Sequence, residues 1–122
     1  MPSRSRTTKP KISENDVEAA CLDFLRMYGY YCIRQHCGKF WTWDKMRVIT
    51  GAKKGTPDWA AMHELYPGFL WEAKRPGAET TEDQNEQIYE IRLNYKLPIV
   101  VIDDVQTLID FVKEREKKWG TA

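Results

Sequence analysis

Two short runs in the 122-residue chain combine acidic and basic side chains at a spacing that suits phosphodiester chemistry. Residues 55–58 (GTPD) end in Asp58, and residues 72–74 (EAK) follow, with Glu72 14 positions after Asp58. In an extended strand, residues two apart share a face, so Glu72 and Lys74 would project together. Carboxylate oxygens are preferred ligands of Mg²⁺, and a nearby lysine can stabilise charge that develops on a phosphate.

The sequence between these runs predicts the hairpin that would bring them together. Residues 59–62 and 69–74 are largely apolar, and a Pro67-Gly68 turn separates them. Antiparallel pairing would put Asp58 near the same end of the sheet as the residues of the second run. The alternative is an ordinary hairpin whose exposed Glu and Lys form a surface pair worth about 0–1 kcal/mol.

Helical and strand patterns surround this hairpin. Helices are predicted from Ser13 to about Gly29, from Thr80 or Thr81 to about Tyr95, and from Asp103 or Asp104 onward. In the second helix, Ile88, Ile91 and Tyr95 are predicted to face inward. Further strands are predicted at residues 30–35, 46–50 and 97–102, and the last is apolar enough for a central strand covered on both faces. We therefore expect an α/β fold with a central mixed β-sheet flanked by helices.

Two glutamates of the first helix could supply a further carboxylate. Glu14 lies in the first turn, where the helix dipole and a capping box of Ser13 and Asp16 already explain an acid. Glu18 lies beyond that turn, and like charges four apart are unfavourable without a nearby cation. The pattern therefore favours Glu18 as the contribution of the helix to a metal site, with Glu14 second.

Residues 38–54 form a basic and aromatic segment. Its cations are interleaved with Phe40, Trp41 and Trp43, which is typical of a nucleic-acid surface where lysines meet phosphates and aromatic rings stack on bases. Equally, the tryptophans could pack on the core or on a second subunit. The predicted DNA-binding residues of this segment are Lys39, Lys45, Arg47, Lys53 and Lys54.

Composition limits the cellular setting. The net charge is only +1, so any nucleic-acid surface must come from local segregation of charge. Three cysteines without secretory spacing predict free thiols, and Cys32, His36 and Cys37 do not complete a four-ligand zinc site. With no signal peptide or membrane-length apolar run, we expect a soluble cytoplasmic protein, prokaryotic or virus-encoded, with no membrane partner. A basic flexible arm (1–12) would precede one domain (13–118).

Together the motifs resemble the PD-(D/E)xK nuclease superfamily and, within it, stand-alone VRR-NUC (virus-type replication–repair nuclease) domains. The resemblance spans about residues 13–112. It rests on the acidic first helix (13–18), residues 55–58, residues 72–77 with their basic-Pro-Gly turn, and Thr81-x-x-Gln84. That last motif is also a capping box, so two roles stay open for Gln84.

The resemblance implies a restriction-endonuclease-like core, αβββαβ with a C-terminal helix. It also implies a structure-selective DNA endonuclease that uses Mg²⁺ or Mn²⁺ and resolves Holliday or other branched junctions as a homodimer. The alternatives are a non-catalytic nucleic-acid-binding module and a restriction-type endonuclease. The implied catalytic residues are Asp58, Glu72, Lys74 and Gln84; the metal ligands are Glu18, Asp58, Glu72, Ala73 and Glu14; Arg75 joins the DNA-binding residues.

Overall fold

Three helices and six strands make up the part of the chain that the structure describes. The structure is a computed structural model, and it describes residues 11–35, 39–41, 48–50 and 53–119, with the main chain alone for 39–41 and 48–50. In chain order the elements are α1 (Glu14–Met27), β1 (Tyr31–Arg34), β2 (Lys39–Trp41), β3 (Val48–Thr50), β4 (Trp59–Met62), β5 (Phe69–Ala73), α2 (Glu82–Asn94), β6 (Ile99–Ile102) and α3 (Val105–Trp119).

Four of the strands form one mixed sheet in the order β1-β4-β5-β6. The pairs β1–β4 and β4–β5 are antiparallel, whereas β5 and β6 run parallel. The short strands β2 and β3 pair antiparallel in a separate two-stranded sheet. The predicted α/β class, with a mixed sheet flanked by helices, is confirmed.

Helices cover the sheet on both faces. The side chains of Phe69, Trp71 and Ala73 pack with residues of α1 and α3 in the larger apolar core. On the other face, the β6 residue Ile99 packs with Ile88 and Ile91 of α2. Since side chains alternate along a strand, Glu72 lies on the α2 face, between Trp71 and Ala73 on the other.

The predicted helix starts agree with the observed caps. Ser13 and Asp16 form a capping box at α1, and Thr81 and Gln84 form one at α2. At α3, the Asp104 carboxylate accepts a hydrogen bond of 2.9 Å from the main-chain N–H of Gln106. Each cap satisfies N–H groups that have no partner within the helix.

Two predictions about individual elements are wrong. The apolar strand β6 lies at an edge of the four-stranded sheet rather than at its centre, although α2 and the core of α1 and α3 cover both its faces. A continuous apolar run therefore indicates that both faces of a strand are covered. It does not indicate that the strand has a paired neighbour at each edge. Tyr95, predicted to face inward, caps the C-terminus of α2 and is 73% exposed.

Several predictions fall on residues outside the described ranges. These are the arm up to residue 10, the zinc candidates His36 and Cys37, and the segment residues Trp43, Lys45 and Arg47. The side chain of Lys39 is likewise outside them, whereas its main chain belongs to β2, a strand that the sequence did not predict. The predicted strand at residues 46–50 is observed as β3 from Val48 to Thr50. No helix among the described residues is long and apolar enough to cross a membrane.

Candidate active site

The β4–β5 hairpin sets the two acidic residues opposite each other. Trp59 pairs with Trp71, and continuing this register by one residue brings Asp58 opposite Glu72. The main-chain carbonyl of Asp58 accepts a hydrogen bond of 2.7 Å from the N–H of Gln35, just after β1. Main-chain pairing to a neighbouring strand thus fixes the backbone on which Asp58 is carried.

An open cleft of about 320 Å³ contains both acids. It joins three of the motifs singled out in the sequence: the 55–58 run, the end of β5 and the first turn of α2. The residues that line it are Lys54, Gly55, Thr56, Asp58, Glu72, Thr81, Asp83 and Gln84. Four of these, Gly55, Thr56, Thr81 and Asp83, were not predicted from the sequence as site residues, and their only signal is that they lie within the 55–58 and 81–84 motifs.

Glu72 is the most unusual titratable group of the cleft. It is 3% exposed, and its Oε2 atom is buried without a hydrogen-bond donor. The Nζ atom of Lys74 lies 3.5 Å from this oxygen, longer than the 2.7–2.9 Å usual for a charge-assisted hydrogen bond. Burial and then the charge of Asp58 raise the pKa of Glu72 to about 7, against the opposing effect of Lys74.

The residues present fit a divalent cation. A buried carboxylate oxygen without a donor lies beside a second carboxylate, and Mg²⁺ is commonly held by one or two carboxylates with water and phosphate as its other ligands. Ala73 could add only its main-chain carbonyl. Among residues 11–35 and 53–119, no three His, Cys, Asp or Glu side chains cluster closely enough to hold a metal by themselves. Water and phosphate would therefore supply most of the coordination sphere.

The two glutamates of α1 have different surroundings. Glu18 accepts a hydrogen bond of 2.9 Å from the indole Nε1 of Trp59, and its carboxylate lies 3.4 Å from Nη1 of Arg34. Trp59 stacks on Trp71 and so lies on the face of the sheet opposite to Glu72. Glu14, in contrast, raises the pKa of Glu72 through its charge. Neither glutamate lines the cleft, and the observed contacts of Glu18 are with Trp59 and Arg34, whereas the charge of Glu14 acts on Glu72.

The loop before Asp58 is held against α2. The ammonium of Lys53 lies 3.2 Å from the carboxylate of Glu90, and that of Lys54 lies 3.1 Å from Asp83. Both pairs are exposed, so each contributes at most about 1 kcal/mol, and a phosphate could displace the acid. Both predicted DNA contacts therefore have an acidic partner beside them, and Lys54 lines the cleft.

Gly55 makes the closest approach between this loop and α2. Its φ angle is +90°, and a Cβ atom there would lie 2.3 Å from the main-chain oxygen of Asp83. Only glycine combines that backbone conformation with so short a distance. The sequence motif at residues 55–58 thus includes a packing requirement in addition to the carboxylate of Asp58.

Gln84 and Arg75 occupy the borders of the site. The side-chain Oε1 of Gln84 accepts a hydrogen bond of 2.8 Å from the N–H of Thr81, so its capping role is observed while the residue also lines the cleft. Arg75 is exposed and follows Lys74 directly.

Comparison of the chain with protein-family models and with curated proteins finds no match in either. The geometry of the cleft therefore carries the functional proposal.

Proposed function

We propose that this protein is a metal-dependent DNA endonuclease with a restriction-endonuclease-like core of the VRR-NUC type. One observation supports the proposal most directly. Asp58 and Glu72 lie opposite each other on a hairpin, with Lys74 beside a buried carboxylate oxygen that has no hydrogen-bond donor. A carboxylate kept in such surroundings is costly to the folded protein and is characteristic of functional sites.

Asp58, Glu72 and the main-chain carbonyl of Ala73 would hold Mg²⁺ or Mn²⁺. When bound, the ion lowers the pKa of a water molecule and offsets negative charge on the scissile phosphate. Lys74, 3.5 Å from the Glu72 carboxylate, would orient the attacking water and stabilise charge on the phosphate oxygens. Because the pKa of Glu72 is about 7, metal binding must displace its proton, so metal affinity should increase as the pH rises through 7.

Other residues in and near the cleft would act through position. Glu14 adds negative charge from the N-terminus of α1 and would complete the site through a water molecule or directly. Gln84 fixes the first turn of α2, which forms one wall of the cleft. Lys54 and Arg75 would contact the phosphates on either side of the scissile bond, since both are exposed next to the cleft.

The substrate we propose is branched DNA, cut by a homodimer. One domain with one cleft makes one nick, whereas resolving a four-way junction requires two nicks on opposing strands. Two-fold pairing of identical chains is the commonest way to supply the second cleft, and it matches the symmetry of the junction.

Cleavage of a panel of junctions, flaps, duplexes and single strands with Mg²⁺ or Mn²⁺ tests the chemistry. We expect Asp58→Asn, Glu72→Gln and Lys74→Met each to lower the cleavage rate on the order of 100-fold or more while DNA binding persists. Asp23→Asn and Lys113→Met, at exposed positions of α1 and α3, are matched controls that should cut normally. Binding without cleavage by the wild-type protein would instead identify a nucleic-acid-binding module.

The same assay decides between the two glutamates of α1. Glu14→Gln should lower the cleavage rate and weaken the dependence on metal concentration. Glu18→Gln should lower the melting temperature, because it removes the charge that contacts Arg34 and Trp59, and should retain most of the activity. A larger loss of activity in Glu18→Gln would assign the metal ligand to Glu18.

A further inference from the structure

Helix α2 carries a second apolar surface on the side away from the sheet. Ile88 and Ile91 face the core, whereas Tyr89 and Leu93 are 68% and 59% exposed. The latter two are four positions apart, so they lie next to each other on one face of the helix. Large exposed apolar side chains grouped in this way mark an interaction surface.

Charged residues extend this surface in both directions along the helix. Glu82, Glu86, Tyr89 and Leu93 of α2 follow each other at spacings of four, three and four, which is the spacing of a coiled-coil seam, and two bases, Arg92 on the helix and Lys96 just past its C-terminus, lie towards the other end. We call this set the α2 stripe. Its N-terminal part is acidic, its centre is apolar and its C-terminal end is basic.

A groove beside the apolar centre could receive a side chain from a partner. It has a volume of about 480 Å³ and is lined by Asn85, Ile88, Tyr89, Arg92 and Leu93. The α2 stripe thus forms a ridge, and the groove lies directly beside it. Packing of ridges into grooves is how helices associate.

We infer that the α2 stripe is a homodimer interface in which two copies of α2 pack antiparallel about a two-fold axis at Tyr89. In this register, Tyr89 meets its own copy, Glu82 lies opposite Lys96 of the second copy, and Glu86 lies opposite Arg92. Only Arg92 of these two bases lies on the helix, where it is exposed and also donates a hydrogen bond of 2.8 Å to the main-chain oxygen of Ile99; Lys96 lies just past the end of the helix. Parallel pairing would instead set Glu82 and Glu86 against identical acids.

Self-complementarity of this kind identifies a second copy of the chain as the occupant. In an isologous interface each contact occurs twice, so one helix must carry both halves of a pair, as α2 does with Glu86 and Arg92. A single helix pair gives an interface at the small end of specific ones, so we expect a dimer that dissociates on dilution.

The pairing determines how the two clefts of the proposed dimeric nuclease would be offset from each other. Gln84, in the wall of the cleft, is five residues from Tyr89, and each residue of a helix advances 1.5 Å. The two clefts would therefore be offset by about 15 Å along the helix pair. This inference deepens the proposed function in its choice of a homodimer, but the pairing can be measured without any cleavage assay.

Sedimentation or light scattering of the full chain over a range of concentrations provides the first test. Tyr89→Asp puts two carboxylates together at the two-fold axis, so we expect the dimer dissociation constant to rise at least about 100-fold. Tyr31→Asp is the matched control, because Tyr31 on β1 is 72% exposed and lies away from α2, and it should leave the dimer intact. A wild-type monomer at all concentrations, or equal effects of the two variants, would overturn the inference.

Charge exchange tests the register. Glu82→Lys and Lys96→Glu should each weaken their own homodimer at low salt, because each sets like charges opposite one another twice. A mixture of the two variants should form a heterodimer, because position 82 of each copy then faces a residue of opposite charge at position 96 of the other copy. Failure of the mixture to associate better than either variant alone would exclude this register.

Cleavage assays on the same samples separate the two proposals. A protein that cleaves DNA but stays monomeric would refute the α2 pairing and still support the nuclease proposal. A dimer with the predicted response to charge exchange but no metal-dependent cleavage would support the α2 pairing and refute the nuclease proposal.

Discussion

At the scale of single residues, Glu72 shows most clearly that stability and function oppose each other in this site. Its carboxyl group is buried on the α2 face of the sheet beside Asp58, and Lys74 compensates only in part. A neutral side chain would suit that position better in the absence of a cation. The unfavourable surroundings of Glu72 are explained if the site binds a cation that compensates the buried charge.

This opposition predicts an effect of pH on stability. With its pKa raised from the ordinary 4.5 to about 7, Glu72 keeps a proton in the folded state that the unfolded chain releases between those values. The free energy of unfolding therefore falls as the pH rises from about 4.5 to 7, and the whole penalty is present above pH 7. Glu72→Gln removes it, so the variant should be more stable than wild type by about 1–3 kcal/mol at about pH 8 in EDTA.

Denaturant unfolding at about pH 4.5 and about pH 8 measures this difference. At the lower pH the two proteins should be close in stability, because Glu72 is largely neutral in the folded state and half-neutral in the unfolded chain. Glu64→Gln, at an exposed site, controls for the substitution itself. Addition of Mg²⁺ at the higher pH should stabilise wild type and not the variant. A variant that is less stable than wild type at that pH in EDTA would contradict the buried, uncompensated carboxylate.

At the scale of elements, the sequence predicted what depends on neighbours along the chain. The hairpin follows from apolar strands on either side of Pro67-Gly68, and the helix starts follow from capping pairs three positions apart. The contacts of Glu18 could not be predicted, because they come from Arg34 and Trp59, 16 and 41 positions away. The same holds for the pairing of Lys53 with Glu90 across 37 positions. No spacing rule connects residues so far apart.

The contact between the 53–58 loop and α2 gives a prediction at this scale. Gly55→Ala would force a Cβ atom against the main chain of Asp83, so the loop must move and carry Asp58 with it. We expect lower thermal stability and a strong loss of cleavage. Gly77→Ala is a matched control, because Gly77 also has a positive φ, +81°, but a Cβ atom there meets nothing within 4 Å.

Both alanines incur the cost of a left-handed backbone, about 1–2 kcal/mol. Only Gly55→Ala adds a steric clash, so the difference between the two variants isolates the loop–helix contact. Thermal melts and single-turnover cleavage measure the two effects. Equal losses of activity in both variants would show that the contact does not position Asp58.

At the scale of the whole molecule, α2 connects the two proposals. Its buried side supports β6, its first turn forms a wall of the cleft, and its exposed side carries the α2 stripe. The overall charge of +1 gives no strong attraction to DNA, so the proposed nuclease would depend for DNA binding on a few exposed cations near the cleft and on the second cleft of the proposed dimer. Dimerisation would therefore increase both affinity for a branched substrate and coordination of the cuts.

Paired clefts predict how a junction in a supercoiled plasmid is cut. If both nicks occur within one complex, supercoiled plasmid converts to the linear form with little nicked circle, because the second cut precedes dissociation. Tyr89→Asp should make the first nick yet accumulate nicked circle, since the second cut must await another binding event. Tyr31→Asp should behave as wild type. Gel analysis of the time course distinguishes the products, and direct linearisation by a Tyr89→Asp protein shown to be monomeric would refute coupling of the clefts through α2.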